Sequence, residues 1–140
     1  MTTTAIPLVH ASIGTIPYTV NLSDGRHQWL GDEPTELGGA DAGPSPMHLL
    51  LSSLGACTAA TLTMYAQRKQ WPLTGINIVL ALNPDGVPAA GQSLISRDIS
   101  LLGELSVEQQ QRLLQIANAC PVHKILTGNI AITSTLAQPL

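Results

Sequence analysis

The chain has 140 residues, which suits one domain around one hydrophobic core. Its net charge is −3 and its six Lys and Arg residues are scattered, so the composition argues against a nucleic-acid-binding protein. Hydrophobic residues make up 44% of the chain and charged residues only 11%, and such an apolar surplus usually ends in a subunit interface. We therefore expect a homodimer. The first ten residues lack the basic and apolar regions of a signal peptide, so we expect a cytoplasmic protein.

The first part of the chain predicts a β-hairpin. Apolar side chains occupy every second position from 16 to 22, which is the periodicity of a strand. Asp24 and Gly25 supply a tight turn, and the segment RHQWL (26–30) is typical of a returning strand. The stretch from 31 to 46 is dense in Gly and Pro and predicts an ordered loop or a lid.

The apolar run that follows predicts a long central helix. Ser45 is a favoured N-cap residue and Pro46 suits the first helical position. The helix should continue to about Lys69 and end before Pro72. Because the run is apolar on all sides, we expect other elements to wrap around it. It also reaches the minimum length of a membrane span, but Gly55 and several Ser and Thr residues weaken that interpretation, so we expect no membrane contact.

The second half of the chain predicts two strands and two helices before a closing strand. Strands are expected at 76–82 and at about 94–102, with a turn at NPDG between them. Ser106 and Gln109 form a capping box for the first helix. Cys120 in the N-cap position and Pro121 begin the second, which should end near Gly128. With NIAITSTL (129–136) as a last strand, the order indicates an α+β domain with a mostly antiparallel sheet around a buried helix.

Two cysteines are the main chemical feature of the sequence. Cys57 lies in the middle of the central helix among small residues, where another backbone can approach as closely as a disulfide requires, or where the thiol is simply a small buried hydrophobe. Cys120 lies at a helix N-terminus, where unpaired N–H groups and the helix dipole lower a thiol pKa, unless it is merely a poor cap. A zinc site formed by Cys57, Cys120, His48 and His123 is a further alternative, but no CxxC pair supports it, so we expect no metal.

These segments are similar to a known family. The segment GGADAGPSPMHLLLSSLGACTAATLTMYAQRKQWPL (38–73) and the segment NACPVHKILTGNI (118–130) resemble the OsmC/Ohr family. This family comprises osmotically inducible protein C-like and organic hydroperoxide resistance proteins. The pattern DEP…GG…GPSP before the first cysteine and CPVHK at the second is most similar to the small OsmC-like branch.

The resemblance implies a fold and an activity. The fold would be a single OsmC-like domain over residues 1–140, with a six-stranded, mostly antiparallel sheet wrapped around a long buried central helix, in an intertwined homodimer. The activity would be a cofactor-independent, thiol-dependent peroxidase that protects against oxidative stress as an antioxidant enzyme. Cys57 would attack an organic hydroperoxide and become a sulfenic acid, and Cys120 would condense with it to a disulfide. A dithiol reductant, of lipoyl type or a small thiol, would reopen that bond.

The resemblance also directs attention to residues that could support the thiols. Hydroperoxide-reducing members of the family use an Arg from the N-terminal loops, held by a Glu on the central helix. In this chain Met47 occupies the position of that Glu, with His48 beside it. The nearest Arg is Arg26, and the carboxylates that could orient it are Asp32, Glu33 and Glu36.

His123 is expected to hydrogen-bond a helix end or to shuttle a proton near Cys120. The alternative function is a dimeric protein that binds a small apolar or thiol-bearing ligand in a pocket, which Trp29 could help to wall, without peroxide turnover.

Overall fold

The computed structural model describes residues 5–137. The chain divides into two compact units, one ending at Ser52 and the other beginning at Ser53, so the boundary falls within the long helix. Each unit is described by itself below. The single domain over residues 1–140 stays a prediction.

The first unit contains a three-stranded antiparallel sheet. Its strands are β1 (His10–Ile13), β2 (Val20–Ser23) and β3 (Gln28–Gly31), in that order across the sheet. The predicted hairpin is confirmed, because β2 and β3 pair across the turn and Leu22 lies opposite Trp29. Gly25 has a φ of 91°, a backbone conformation that glycine adopts without strain. The sequence pattern missed β1 and placed the start of β2 too early.

A buried carboxylate orders the loop that follows β3. Asp32 is only 2% exposed and accepts a hydrogen bond of 2.7 Å from the Thr19 hydroxyl. It also accepts backbone N–H groups of Glu33, Ala40 and Ala42. Burial alone would raise the pKa of Asp32, but these hydrogen bonds outweigh it and lower the pKa below its usual value. The Gly- and Pro-rich stretch is therefore an ordered loop folded around its own carboxylate.

The helices begin and end close to where local signals predicted. Helix α1 spans Pro46–Lys69, and the hydroxyl of Ser45 accepts the backbone N–H of His48 at 3.3 Å. In the second unit, β4 (Gly75–Leu82) and β5 (Ile95–Leu102) form an antiparallel two-stranded sheet. Helix α2 (Val107–Ile116) carries the predicted capping box, and α3 (Pro121–Thr127) begins after Cys120. The α+β class is confirmed.

The core of the second unit lies between α1 and the segment around α2. Leu62 and Ala66 of α1 pack in one cluster with Leu113 and Ala117. Partly buried side chains from β4, β5 and the loops surround this cluster, including Trp71, whose ring meets that of Tyr65 edge to face.

Helix α1 is buried along one stripe only, which corrects the expectation of a helix wrapped on all sides. Within α1, the stripe is formed by residues at four-residue spacing. These are Leu54, Thr58, Leu62 and Ala66. Other apolar side chains of the same helix remain open, such as Met64, which is 55% exposed. One chain supplies enough structure to cover one face of α1, and its apolar character continues around the rest of the helix.

Length and composition alone would allow α1 to span a membrane. Two residues of its buried stripe, Leu62 and Ala66, belong to the core cluster of the second unit. The expectation of no membrane contact stays a prediction.

The six-stranded sheet is also corrected. Within residues 5–137 the structure contains five strands in two separate sheets. The segment NIAITSTL, expected as a strand, has no regular structure, and Ile132 within it is 86% exposed. A strand needs a neighbour to take its backbone hydrogen bonds, and none of the strands described within residues 5–137 pairs with this segment.

Candidate active site

Both cysteines lie in the second unit and are free thiols. Cys57 is partly buried on α1, one residue before the buried stripe position Thr58. Cys120 is fully buried, at the N-cap of α3 with Pro121 as the first helical residue. The two thiols are neighbours, close enough for the Cys57 thiol to donate a hydrogen bond to the Cys120 sulfur. The helix of small residues and the Cys-Pro helix start thus bring together two groups that are far apart in sequence.

The surroundings of Cys120 favour its anion. Burial opposes ionisation, but the Cys57 thiol, the backbone N–H groups of His123 and Val122 and the Thr58 hydroxyl favour the thiolate, and together they lower the pKa of Cys120. The N–H groups are those left unpaired in the first turn of α3. The lowered pKa expected from the helix start is therefore confirmed in direction.

Cys57 shows the opposite behaviour. Burial and the neighbouring Cys120 raise the pKa of the Cys57 thiol, and the backbone N–H of Val122 and the Thr61 hydroxyl offset only part of this. Because the two thiols interact, they titrate as a pair rather than independently. The surroundings thus favour the anion on Cys120, with Cys57 as a neighbour that can donate a hydrogen bond to it.

Arg97 on β5 contacts three uncharged side chains of the second unit. Its Nη1 donates to Thr58 Oγ1 at 2.9 Å, and its Nη2 donates to Asn118 Oδ1 at 3.2 Å. The same Nη2 lies 3.2 Å from His123 Nδ1. In the part of the chain that the structure describes, Arg97 forms no ion pair with a carboxylate. Its guanidinium is therefore held by uncharged side chains, and one of them, Thr58, interacts with Cys120.

His123 is held as a neutral imidazole. Burial lowers its pKa, and the nearby charge of Arg97 lowers it further. A guanidinium group only donates hydrogen bonds, so Nδ1 of His123 must accept and the ring proton must lie on Nε2. The two roles predicted for His123, a hydrogen bond to a helix end and a proton shuttle, stay predictions, and the contact that the structure shows for Nδ1 is with Arg97.

A cavity of about 360 Å³ adjoins this cluster. Most of its lining is apolar, and two of the polar groups at its wall belong to the cluster around the thiols. The lining residues are Leu54, Ser93, Leu94, Ile95, Arg97, Ile99, Leu114, His123, Leu126 and Thr127. An apolar molecule of moderate size with one polar group would match this lining.

The supporting residues predicted from the N-terminal half show no such arrangement. Arg26 and Glu36 are exposed, Glu33 is partly buried, and His48 bonds to Ser45 at 2.6 Å. Within residues 5–137, Arg26 forms no ion pair with Glu33 or Glu36. All four candidates lie in the first unit, and their roles stay predictions. Among the described residues no group of three or more His, Cys, Asp and Glu side chains could hold a metal ion.

Sequence reasoning missed Arg97, Thr58 and Asn118. A signal for Arg97 was present, because strand residues two apart share a face and Arg97 lies between Ile95 and Ile99. A charged side chain on the apolar face of a strand needs partners. Thr58 gives the matching signal, since it interrupts the apolar stripe of α1 one turn after Leu54.

Comparison with known proteins gives consistent results. The family profile described as OsmC-like protein matches residues 38–135. No curated protein matches the chain. Among solved structures, an OsmC-like protein from Mycoplasma pneumoniae has a TM-score of 0.74 at 19% identity, with 89% of each chain covered.

Two further structures show the same fold. An organic hydroperoxide resistance protein OsmC from Legionella pneumophila has a TM-score of 0.66 at 20% identity, covering 91% of this chain and 93% of that one. An organic hydroperoxide resistance protein from Elizabethkingia anophelis also has a TM-score of 0.66, at 19% identity, covering 92% and 93%. At these identities the likeness establishes the fold.

Proposed function

The chain belongs to the OsmC-like protein family, and from this premise we propose that it is a thiol-dependent organic hydroperoxide reductase with Cys57 and Cys120 as its redox pair. The observation that carries the proposal is the contact between two free thiols whose pKa values are moved in opposite directions. Two neighbouring thiols, one of them stabilised as an anion, are what a cycle of peroxide reduction and disulfide formation requires.

The proposed reaction balances with one hydroperoxide and two thiols. A Cys57 thiolate attacks a peroxide oxygen, the O–O bond breaks, and the organic fragment leaves as an alcohol after taking up a proton. Cys57 is then a sulfenic acid. The sulfur of Cys120 attacks that of Cys57, the S–S bond forms, and the oxygen leaves as water. The hydroperoxide has gained two electrons and the thiol pair has lost them.

The proximity of the two thiols allows the more acidic site and the more accessible site to be different residues. The surroundings favour the anion on Cys120, but Cys120 is fully buried, whereas Cys57 is partly exposed and the better placed of the two to meet a substrate. A shift of the shared proton from the Cys57 sulfur to the Cys120 sulfur would place the negative charge on Cys57. The pair therefore needs a single ionisation to supply an accessible nucleophile.

The lining of the adjoining cavity supports an organic rather than an inorganic peroxide. Its walls are mostly leucine and isoleucine, and Arg97 and His123 are among its polar lining residues. Two proteins of the same fold are organic hydroperoxide resistance proteins. The proposed reductant is a dithiol, of lipoyl type or a small thiol, because a dithiol opens a disulfide by two exchanges and closes into a disulfide itself.

The proposal includes a cytoplasmic homodimer. Its support is the low charged fraction of the chain and the apolar side chains that α1 leaves open to solvent. A second copy of the chain would cover these side chains and could supply the strand pairing that segment 129–136 lacks.

Peroxide-dependent consumption of dithiothreitol tests the function. With cumene hydroperoxide as substrate, Cys57→Ser should reduce consumption to the buffer background, because the accessible nucleophile is gone. Cys120→Ser should instead accumulate sulfinic acid on Cys57, visible as a mass increase of that peptide. Ala60→Ser, which adds a hydroxyl to an exposed position of the same helix, is the matched control and should behave as the parent. Unchanged consumption by Cys57→Ser would sink the proposal.

A second candidate function is a binding protein that uses the 360 Å³ cavity for a small apolar ligand without turnover. The intact mass and the count of free thiols separate the two. One equivalent of hydroperoxide should remove both free thiols from a reductase. In a binding protein both thiols would remain.

A further inference from the structure

A line of polar groups leads from Arg97 to Cys120 through a single hydroxyl. Thr58 is fully buried, and its Oγ1 accepts a hydrogen bond of 2.9 Å from Arg97 Nη1. The same hydroxyl donates to the backbone carbonyl of Leu54 at 2.7 Å. It also lies within reach of Cys120, where it favours the thiolate as a donor. One side chain therefore faces one fixed donor and two acceptors.

The number of protons restricts what this hydroxyl can do. A threonine hydroxyl has one proton, and a guanidinium group accepts none, so the proton must point to the carbonyl of Leu54 or to the sulfur of Cys120. The second guanidinium nitrogen of Arg97, Nη2, contacts Asn118 and His123, so the guanidinium is fixed. It therefore holds the Thr58 oxygen in place, while the hydroxyl proton can point to either acceptor.

We propose that Thr58 is a positioning residue for Cys120: held by Arg97, its hydroxyl turns from the Leu54 carbonyl to the Cys120 sulfur when that sulfur becomes an anion. This role in catalysis rests on the proposed function, but the hydrogen-bond switch itself does not require turnover. A hydrogen bond to a charged acceptor is about twice as strong as one between neutral groups, so ionisation of the thiol favours the turn. Donation from Arg97 polarises the O–H bond and makes it a better donor to sulfur.

The bond to the carbonyl alone does not explain the arrangement. Thr63, on the same helix, makes the same contact to the carbonyl of Ala59 at 2.8 Å from an exposed position. No arginine among the described residues hydrogen-bonds to its side chain. Thr58 makes this bond inside the apolar stripe and receives Arg97 from another element. A valine, which has the same shape, would fill the same space in that stripe. Unlike the threonine hydroxyl, however, it cannot donate a hydrogen bond to the Cys120 sulfur.

The test is a titration of Cys120 in the full chain with Cys57→Ser as background, so that one thiol titrates alone. The ultraviolet absorbance of the thiolate reports ionisation without needing reagent access. Thr58→Val should raise the midpoint by about one pH unit, because the sulfur loses a donor. Thr58→Ser should restore the midpoint to that of the background. Thr63→Val is the matched control and should leave it unchanged.

Among titratable and charged residues, Cys57 from α1 interacts directly with Cys120, Arg97 from β5 is connected to it through Thr58, and His123 from α3 contributes its backbone N–H. Cys57 is absent from the background, and the other two are common to the threonine variants. An unchanged midpoint in Thr58→Val, or an equal rise in Thr63→Val, would overturn the proposal. If circular dichroism shows that Thr58→Val does not fold, Arg97→Gln replaces it. This variant should also raise the midpoint, and no change would count against the switch.

This measurement is independent of peroxide chemistry. A shifted midpoint in a protein that consumes no hydroperoxide would refute the proposed function and leave the switch standing. Normal hydroperoxide consumption with an unshifted midpoint would support the proposed function and refute the hydrogen-bond switch.

Discussion

At the scale of single residues, His123 links the charge of the site to the stability of the fold. Its Nδ1 faces the Arg97 guanidinium, so a protonated imidazole would place a second positive charge against the first. The pKa of His123 is lowered from its usual value of 6.5 by burial and by Arg97. In the unfolded chain His123 has neither constraint and takes up a proton near that usual value.

The sign of the pH effect follows from this difference. The unfolded chain binds the proton more readily, so the stability that neutral His123 contributes is present above about pH 6.5 and is lost as the pH falls through that value towards the lowered folded pKa. Under reducing conditions the thermal midpoint should therefore decline between pH 7.5 and 5.5. In His123→Gln this decline should become smaller. His10→Gln, a change on the exposed strand β1, should keep it, and an equal slope in both variants would contradict the assignment.

The residues that sequence reasoning found are those whose role is local. Cys120 was recognised from its position before Pro121, since a helix start can be predicted from neighbours in sequence. Arg97 and Thr58 form their contact because β5 and α1 are neighbours in the fold. The spacing of residues along the sequence does not predict which elements become neighbours. The alternation of β5 indicated an arginine on an apolar face but did not identify its partner.

At the scale of elements, the start of α2 offers a quantitative test. The hydroxyl of Ser106 accepts the backbone N–H of Gln109 at 3.1 Å, and the side chain of Gln109 accepts the backbone N–H of Ser106 at 2.9 Å. Because Ser106→Ala leaves an N–H without its partner, it should lower the free energy of unfolding by about 1 kcal/mol, measured by urea denaturation.

Ser52→Ala is the matched comparison for this change. Ser52 donates to the carbonyl of His48 within α1 and caps no helix end. Alanine is the better helix former, so the substitution should be neutral or should stabilise the protein by ~0.3 kcal/mol. A similar loss in both variants would mean that the capping box does not contribute to stability.

Helix boundaries were predicted better than strands for a physical reason. A helix satisfies its backbone within a short segment, so Ser45 and Pro46 are enough to locate the start of α1. A strand depends on a neighbour that can be distant in sequence. The segment 129–136 has the composition of a strand, yet it is irregular, and no described strand pairs with it.

At the scale of the whole molecule, the exposed apolar side chains of α1 lead us to expect a dimer. Met64 is one of the apolar side chains of this helix, and it is 55% exposed. If a second copy covers these side chains, the parent protein should have twice the 14.7 kDa mass of the chain in light scattering. Met64→Glu would bury a carboxylate without a partner in that interface and should weaken association by at least about tenfold.

The matched control for Met64→Glu is Val87→Glu. Val87 is 99% exposed in the loop between β4 and β5, so the same charge is introduced where no cover is expected. It should leave the mass unchanged. A monomeric parent protein, or a dimer indifferent to Met64→Glu, would contradict the expected interface.

The fold class could be predicted from element order and from the resemblance, whereas the number of strands and the burial of α1 could not. The sequence pattern shows that a side chain is apolar. It does not show whether the residues that bury this side chain belong to the same chain or to a second copy. An all-round apolar helix such as α1 therefore predicts complete burial, and the structure of one chain covers a single stripe.

That bare surface has a thermodynamic consequence. With a second copy as its cover, part of the free energy that holds α1 in place would be governed by mass action, because it would depend on how often two chains meet. Dilution would then weaken the native state without altering a covalent bond. A separated subunit would retain the cluster around Leu62 and Leu113 as its own source of stability.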